Sequence, residues 1–245
     1  MTSLHNKPLN LQKKWRVMPE KPHSWLTQVI SKQIFLFLLI SMLCLLLSPT
    51  GLKGFIGFRI MVSLFTTILL VSGVYVASKK ICRTIIAALL ALPTIMFIWI
   101  NHFVNIPYFV LVGDCFGILF MAFTAITVLS FIFREKHVSI NVIYSSIVVY
   151  LLIAVMWSFV YSAMESVHPG SFKIAKEQIE VGRYLFVYYS FVTITSLGYG
   201  DMSPITAQAN SFSILEAVTG QIYLVVLVAR LVGMHIAQSM DKNAR

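Results

Sequence analysis

Between Thr195 and Asp201 the chain reads Thr-Ser-Leu-Gly-Tyr-Gly-Asp, a run rich in oxygen atoms and glycine. A cation leaving water must find oxygens that replace its hydration shell at matched spacing, and a narrow ring of backbone carbonyls supplies them. Pointing successive carbonyls the same way calls for a backbone that alternates in handedness. A Cβ resists the left-handed half of that alternation and glycine permits it, which is a use for Gly198 and Gly200 on either side of Tyr199. The Ser196 hydroxyl offers one more oxygen at the inner mouth. This chemistry is coordination rather than bond making, since no paired acid and base or metal-ligand spacing accompanies the run. Cys44, Cys82 and Cys115 stand singly in or beside apolar segments, so neither a disulfide framework nor a zinc site is expected.

The run from Thr193 to Asp201 resembles the selectivity filter of tetrameric potassium channels, with Ser196 where threonine is usual and Leu197 where valine is usual. Both changes keep the oxygens, because serine retains the hydroxyl and residue 197 contributes its carbonyl. The resemblance implies ion binding at Ser196, Leu197, Gly198, Tyr199 and Gly200, with potassium held at the first four, permeant ions as the only bound species and no cofactor. It also implies a homotetramer, since each chain holds one such run and a closed ring in this family takes four. In that family an aromatic of the pore helix bonds the acid that follows Gly-Tyr-Gly. Tyr188 and Tyr189 stand where a tryptophan pair is common, so Tyr188, Thr195 and Asp201 are expected to support the filter, an interfacial aromatic being the other reading of Tyr188. Gly220 matches the family's hinge glycine and equally suits close packing between membrane helices.

Such a run needs a scaffold in the membrane. With 58% hydrophobic and 11% charged residues, the chain has more apolar surface than a soluble core of 245 residues would hide, so an all-α integral membrane protein is expected. Apolar segments at about 27–48, 58–78, 82–100, 108–133, 138–163 and 208–236 each approach the ~20 residues that cross ~30 Å of hydrocarbon. Pro93 should kink the third. The expected architecture is six transmembrane helices with a re-entrant helix over about 184–196 and the filter between the fifth and sixth. The corresponding organisation is a basic arm at 1–32, a four-helix domain at 33–137 whose first helix starts as early as 27, a pore domain at 138–239 and a tail at 240–245.

Lys and Arg number 19 against 9 acids, and they cluster at the ends of apolar runs, which suits membrane lipids rather than nucleic acid. Fourteen fall on the side of the two termini and five on the other, so both termini are expected in the cytoplasm of a cell inner or plasma membrane protein. The fourth segment, Pro107 to Phe133, has no cation before Arg134 and is not a standard voltage sensor. Asp114 in that segment has Arg59 as a candidate partner, a protonated or solvated carboxyl being the alternative.

On the last helix Ala217, Gln221, Leu224 and Val228 share one stripe. If that stripe lines a cavity, Gln221 meets water and Leu224 with Val228 forms an apolar constriction beside the bend at Gly220; an interhelical hydrogen bond is the other reading of Gln221. Glu216 lies just off the stripe, against the fifth helix or the pore helix, and must there be neutral or paired. No small-molecule substrate is evident and no enzyme is expected. A potassium channel subunit without strong voltage gating fits best, with a nonselective cation channel on the same scaffold as the alternative and a transporter disfavoured because no inverted repeat is visible.

Overall fold

The computed structural model describes residues 25–47, 56–78, 81–101, 103–104, 106–135, 137–174 and 183–243. Helices α1 (Trp25–Leu47), α2 (Ile56–Ala77), α3 (Ile81–Ile100) and α4 (Pro107–Arg134) precede α5 (Ile140–Val167). After α5 come strand β1 (Phe172–Ile174), the short helix α6 (Arg183–Ile194), strand β2 (Met202–Pro204) and the long helix α7 (Ala207–Asn243).

Five stretches are long and apolar enough to cross a membrane: Ile60–Ala77, Ile81–Ile100, Tyr108–Arg134, Ile140–Val167 and Ala207–Met240. The expectation was six. The remaining helix, α1, has 23 residues, but its described apolar stretch is the shorter Phe35–Leu46. Two boundaries differ from the sequence reading for one physical reason: hydropathy marks where a helix is wet, not where its hydrogen bonds stop. Thus α1 begins at Trp25 inside the expected arm, and α7 runs to Asn243 through the expected tail. The rest of the arm lies outside the described residues.

Helix α3 continues through Pro93, and the Thr94 hydroxyl donates to the Leu90 carbonyl at 2.9 Å one turn earlier. At the start of α4, Pro107 occupies a first-turn position, where its missing N–H costs no helical bond. Ser139 caps α5 by accepting from the Val142 N–H at 3.4 Å. Phe120 and Met121 of α4, with Val148, Leu152 and Val155 of α5, are buried in a core that also takes Leu38, Met42 and Leu69 from the first two helices. Asp114 is fully buried in this domain, while the side chain of Arg59 lies outside the described residues and with it the expected pairing.

Near the far end of α7, Arg230 reaches back to the end of α4. Its Nη2 donates to the Ile132 carbonyl at 2.9 Å, and the guanidinium stands 4.6 Å from the centre of the Phe133 ring. The last carbonyls of a helix carry partial negative charge and welcome a cation there.

A two-stranded antiparallel ladder, unforeseen in the sequence, ties the chain after α5 to the chain leaving the Gly-Tyr-Gly run. It pairs Phe172 with Pro204, Lys173 with Ser203 and Ile174 with Met202. The Ile205 N–H extends it by donating to the Ser171 carbonyl at 2.8 Å. Phe172 and Met202 are buried in a second core with Trp157, Tyr161, Phe186 and Tyr189, whose rings meet largely edge to face.

Candidate functional site

Helix α6 ends in a turn that is also the beginning of the candidate filter. The Leu197 N–H donates to the Val192 carbonyl at 2.9 Å and the Ser196 N–H to the Thr193 carbonyl at 2.9 Å. This is the six-to-one and five-to-two pattern of a Schellman cap, with Ser196 at the position that takes left-handed backbone. Ser196 has φ of +57° and is the only non-glycine residue with positive φ among the described residues. Thr195 stays with the helix, its hydroxyl donating to the Phe191 carbonyl at 2.6 Å.

From there the handedness alternates. Ser196, Gly198 and Gly200 have φ of +57°, +60° and +77°, with Leu197 and Tyr199 between them outside the left-handed region. Alternation at every second residue turns successive carbonyls toward one side of the chain, where extended backbone would send them to opposite sides. Residues 195–200 are exposed on the single chain.

Behind the run, the two adjacent tyrosines divide. Tyr188 donates to Asp201 Oδ2 at 2.6 Å, and its ring stacks on Tyr199 with centroids 6.4 Å apart and planes within 8°. Asp201 Oδ1 accepts from the Met202 N–H at 3.0 Å, so one carboxylate joins α6 to the start of β2. Tyr189 turns the other way: its hydroxyl shares a 2.7 Å hydrogen bond with that of Ser213 on α7.

Glu216 is fully buried and touches both elements that the sequence reading offered as alternatives. One oxygen accepts from Tyr161 of α5 and the other from Ser190 of α6. Tyr150 of α5 donates to the Ile194 carbonyl at 3.1 Å, giving this acceptor at the end of α6 a donor from outside its own helix. Tyr223 donates to the Ser146 carbonyl at 2.7 Å and stacks on Tyr150 with centroids 6.0 Å apart. Ser213, Glu216, Gly220 and Tyr223 therefore form the face of α7 that holds α5 and α6. Tyr150, Tyr161, Ser190 and Ser213 were missed from sequence. Their signal was a stripe of polar residues at helical spacing on an apolar helix, read against polar partners on α5 and α6.

Gly220 packs directly on the end of α6: a Cβ there would stand 2.5 Å from Ile194 Cγ1 and 2.8 Å from the Ile194 carbonyl oxygen. One residue on, Gln221 Nε2 donates to the Ser196 hydroxyl oxygen at 3.1 Å. Along the stripe expected to face a cavity, Gln221 and Val228 are exposed and Ala217 and Leu224 partly so. Leu227 lies off that stripe, lining an apolar cavity of about 320 Å³ between α4, α5 and α7.

Long helix, short helix, alternating backbone and long helix follow one another from α5 to α7. Residues 138–236 match the ion channel family model. The matched stretch covers α5, both strands and α6 and ends inside α7, taking in the whole candidate filter and leaving α1 to α4 outside. No curated protein and no solved structure matches the chain. The matched stretch sits in an apolar helical protein with five membrane-length helices among its described residues.

Proposed function

We propose that this protein is a potassium-selective channel subunit that lets ions pass down their gradient through a ring of four copies of residues 196–200. The observation that carries the reading is the alternation of left-handed backbone at Ser196, Gly198 and Gly200. A dehydrated monovalent cation needs stacked oxygens more than it needs charge, and such a backbone supplies them from every residue in turn. The family match over 138–236 supports conduction rather than catalysis.

Four copies are needed because one strand of carbonyls covers only one side of an ion. The exposure of Leu197 and Tyr199 on the single chain is in keeping with surfaces that neighbouring copies would cover. Both termini belong in the cytoplasm on the distribution of Lys and Arg, which makes the filter re-enter from outside the cell. The α4 stretch from Pro107 to Phe133 has no Lys or Arg, and moving one charge through the field supplies ~2.3 kcal/mol per 100 mV, so the channel is not strongly voltage-gated.

The test is flux through the purified protein in potassium-loaded liposomes, with the potassium-to-sodium permeability ratio taken from the reversal potential across a voltage ramp. A strong potassium preference with a shallow voltage dependence is expected. Equal passage of both ions would identify a nonselective channel, and no passage at all would defeat the channel reading.

A further inference from the structure

Ser196 has two features that pull apart. Its left-handed φ of +57° suits the cap of α6, and an unbranched side chain tolerates that conformation better than a β-branched one. The same lack of branching leaves its hydroxyl free among staggered rotamers, where the threonine of the usual potassium filter is stiff at χ1. An oxygen that is to replace one hydration water of an ion must stay in place, and nothing within the serine side chain itself keeps it there.

The restraint comes from α7. Gln221 Nε2 donates to Ser196 Oγ at 3.1 Å, occupying one lone pair of the hydroxyl and leaving the other for a second partner. The amide is held at the right height by its neighbour. Gly220 abuts Ile194, with a Cβ position 2.5 Å from Ile194 Cγ1, so the α7 backbone meets the end of α6 at a fixed stop. Two contacts therefore run in register between the segments, Gly220 on Ile194 and Gln221 on Ser196.

We infer that Gln221 is a specificity-determining residue, which pins the Ser196 hydroxyl so that its free lone pair completes the innermost oxygen ring for a dehydrated cation of potassium size. This rests on the reading of 196–200 as the filter and adds to it a residue outside the filter. Ser196 touches the ion and Gln221 acts through it. When the amide is lost the hydroxyl samples other rotamers, the ring loses oxygens part of the time, and a site matched to potassium relaxes toward sodium.

The experiment is a double-mutant cycle read as the potassium-to-sodium permeability ratio of full-length protein in liposomes, using Gln221→Leu, Ser196→Ala and both together. Q221L is expected to lower the ratio about fivefold, the equivalent of one ordinary hydrogen bond. S196A is expected to lower it at least as far, and Q221L is expected to add nothing in the S196A background. A purely structural role for Gln221 would instead lower the ratio again in that background, which would overturn the proposal. So would an unchanged ratio in Q221L alone. Should Q221L not assemble, Gln221→Met, unbranched and of similar length, takes its place in the cycle. Wild-type protein that passes no potassium would defeat the filter reading itself, whereas selective wild type with an unaltered Q221L defeats only the role given to Gln221.

Discussion

Gly220 and Ile194 meet without room for a single additional carbon: a Cβ on the glycine would lie 2.5 Å from the isoleucine Cγ1 and 2.8 Å from its carbonyl oxygen. Gly220→Ala should therefore destabilise the protein by about 1–3 kcal/mol, the usual cost of overpacking. Thermal unfolding in detergent measures it. Ile194→Ala in the same background should recover part of the loss, since it removes Cγ1 but leaves the carbonyl. A G220A protein as stable as wild type would mean that α7 yields freely at this point and that the glycine serves bending rather than contact.

Gly198→Ala should abolish selective flux while the protein still assembles. Its φ of +60° is left-handed, where a Cβ costs roughly 1–2 kcal/mol, and in the proposed ring the penalty would be repeated in every copy. Apart from the glycine and its two chain neighbours, no atom of the single chain lies within 4 Å of the position a Cβ would take, so loss of flux would report on backbone conformation rather than on a clash within the chain. Flux is measured in liposomes and assembly by size-exclusion chromatography. Normal selectivity in G198A would sink the assignment.

Tyr188→Phe removes the 2.6 Å bond to Asp201 and leaves the ring stacked on Tyr199. A hydrogen bond to a charged group contributes about 1.5–3 kcal/mol, so current decay through filter collapse should quicken by about tenfold or more. Tyr189→Phe, which loses its bond to Ser213 on the far side, should leave that decay largely unaltered and affect stability instead. Equal effects from the two variants would count against a bracing role particular to Tyr188.

Glu216→Ala leaves the buried hydroxyl of Tyr161 without this acceptor, and Ser190 keeps only its 2.6 Å bond to the Ala154 carbonyl. Orphaning a buried hydroxyl costs about 1–3 kcal/mol, and a cavity adds to it, so the variant should be markedly less stable than the wild type. Denaturation of Glu216→Ala against Glu216→Gln, which can keep one acceptor, should rank the two in that order. An alanine variant as stable as the glutamine would show that the network contributes little.

The parts of this site that were legible in the sequence are those where one residue type has no substitute. Gly198 and Gly200 could be read because left-handed backbone is a strong demand on residue type, and Asp201 with a tyrosine pair could be read through the family resemblance. Ser196 gave no such signal, since the cap position it fills most often takes glycine. That Tyr188 bonds Asp201 was also expected, but the turn of Tyr189 toward Ser213 was hidden, because adjacent helical residues point about 100° apart and their surroundings are set by packing of α6 on α5 and α7. Strands of three residues are too short to show alternation, so β1 and β2 could not be foreseen. The membrane helices were legible from apolar runs, but the reach of α7 to Asn243 was not, because a helix continues into water wherever its own hydrogen bonds persist.

The ladder of Phe172–Ile174 on Met202–Pro204 closes a clasp around everything between its strands. The chain leaves α5 and rejoins α7 through this one narrow neck, so α6 is fixed at its base by the ladder as well as along its length by α5 and α7. A change at the neck is thereby felt at both long helices at once, a coupling that a simple helix, loop and helix would lack.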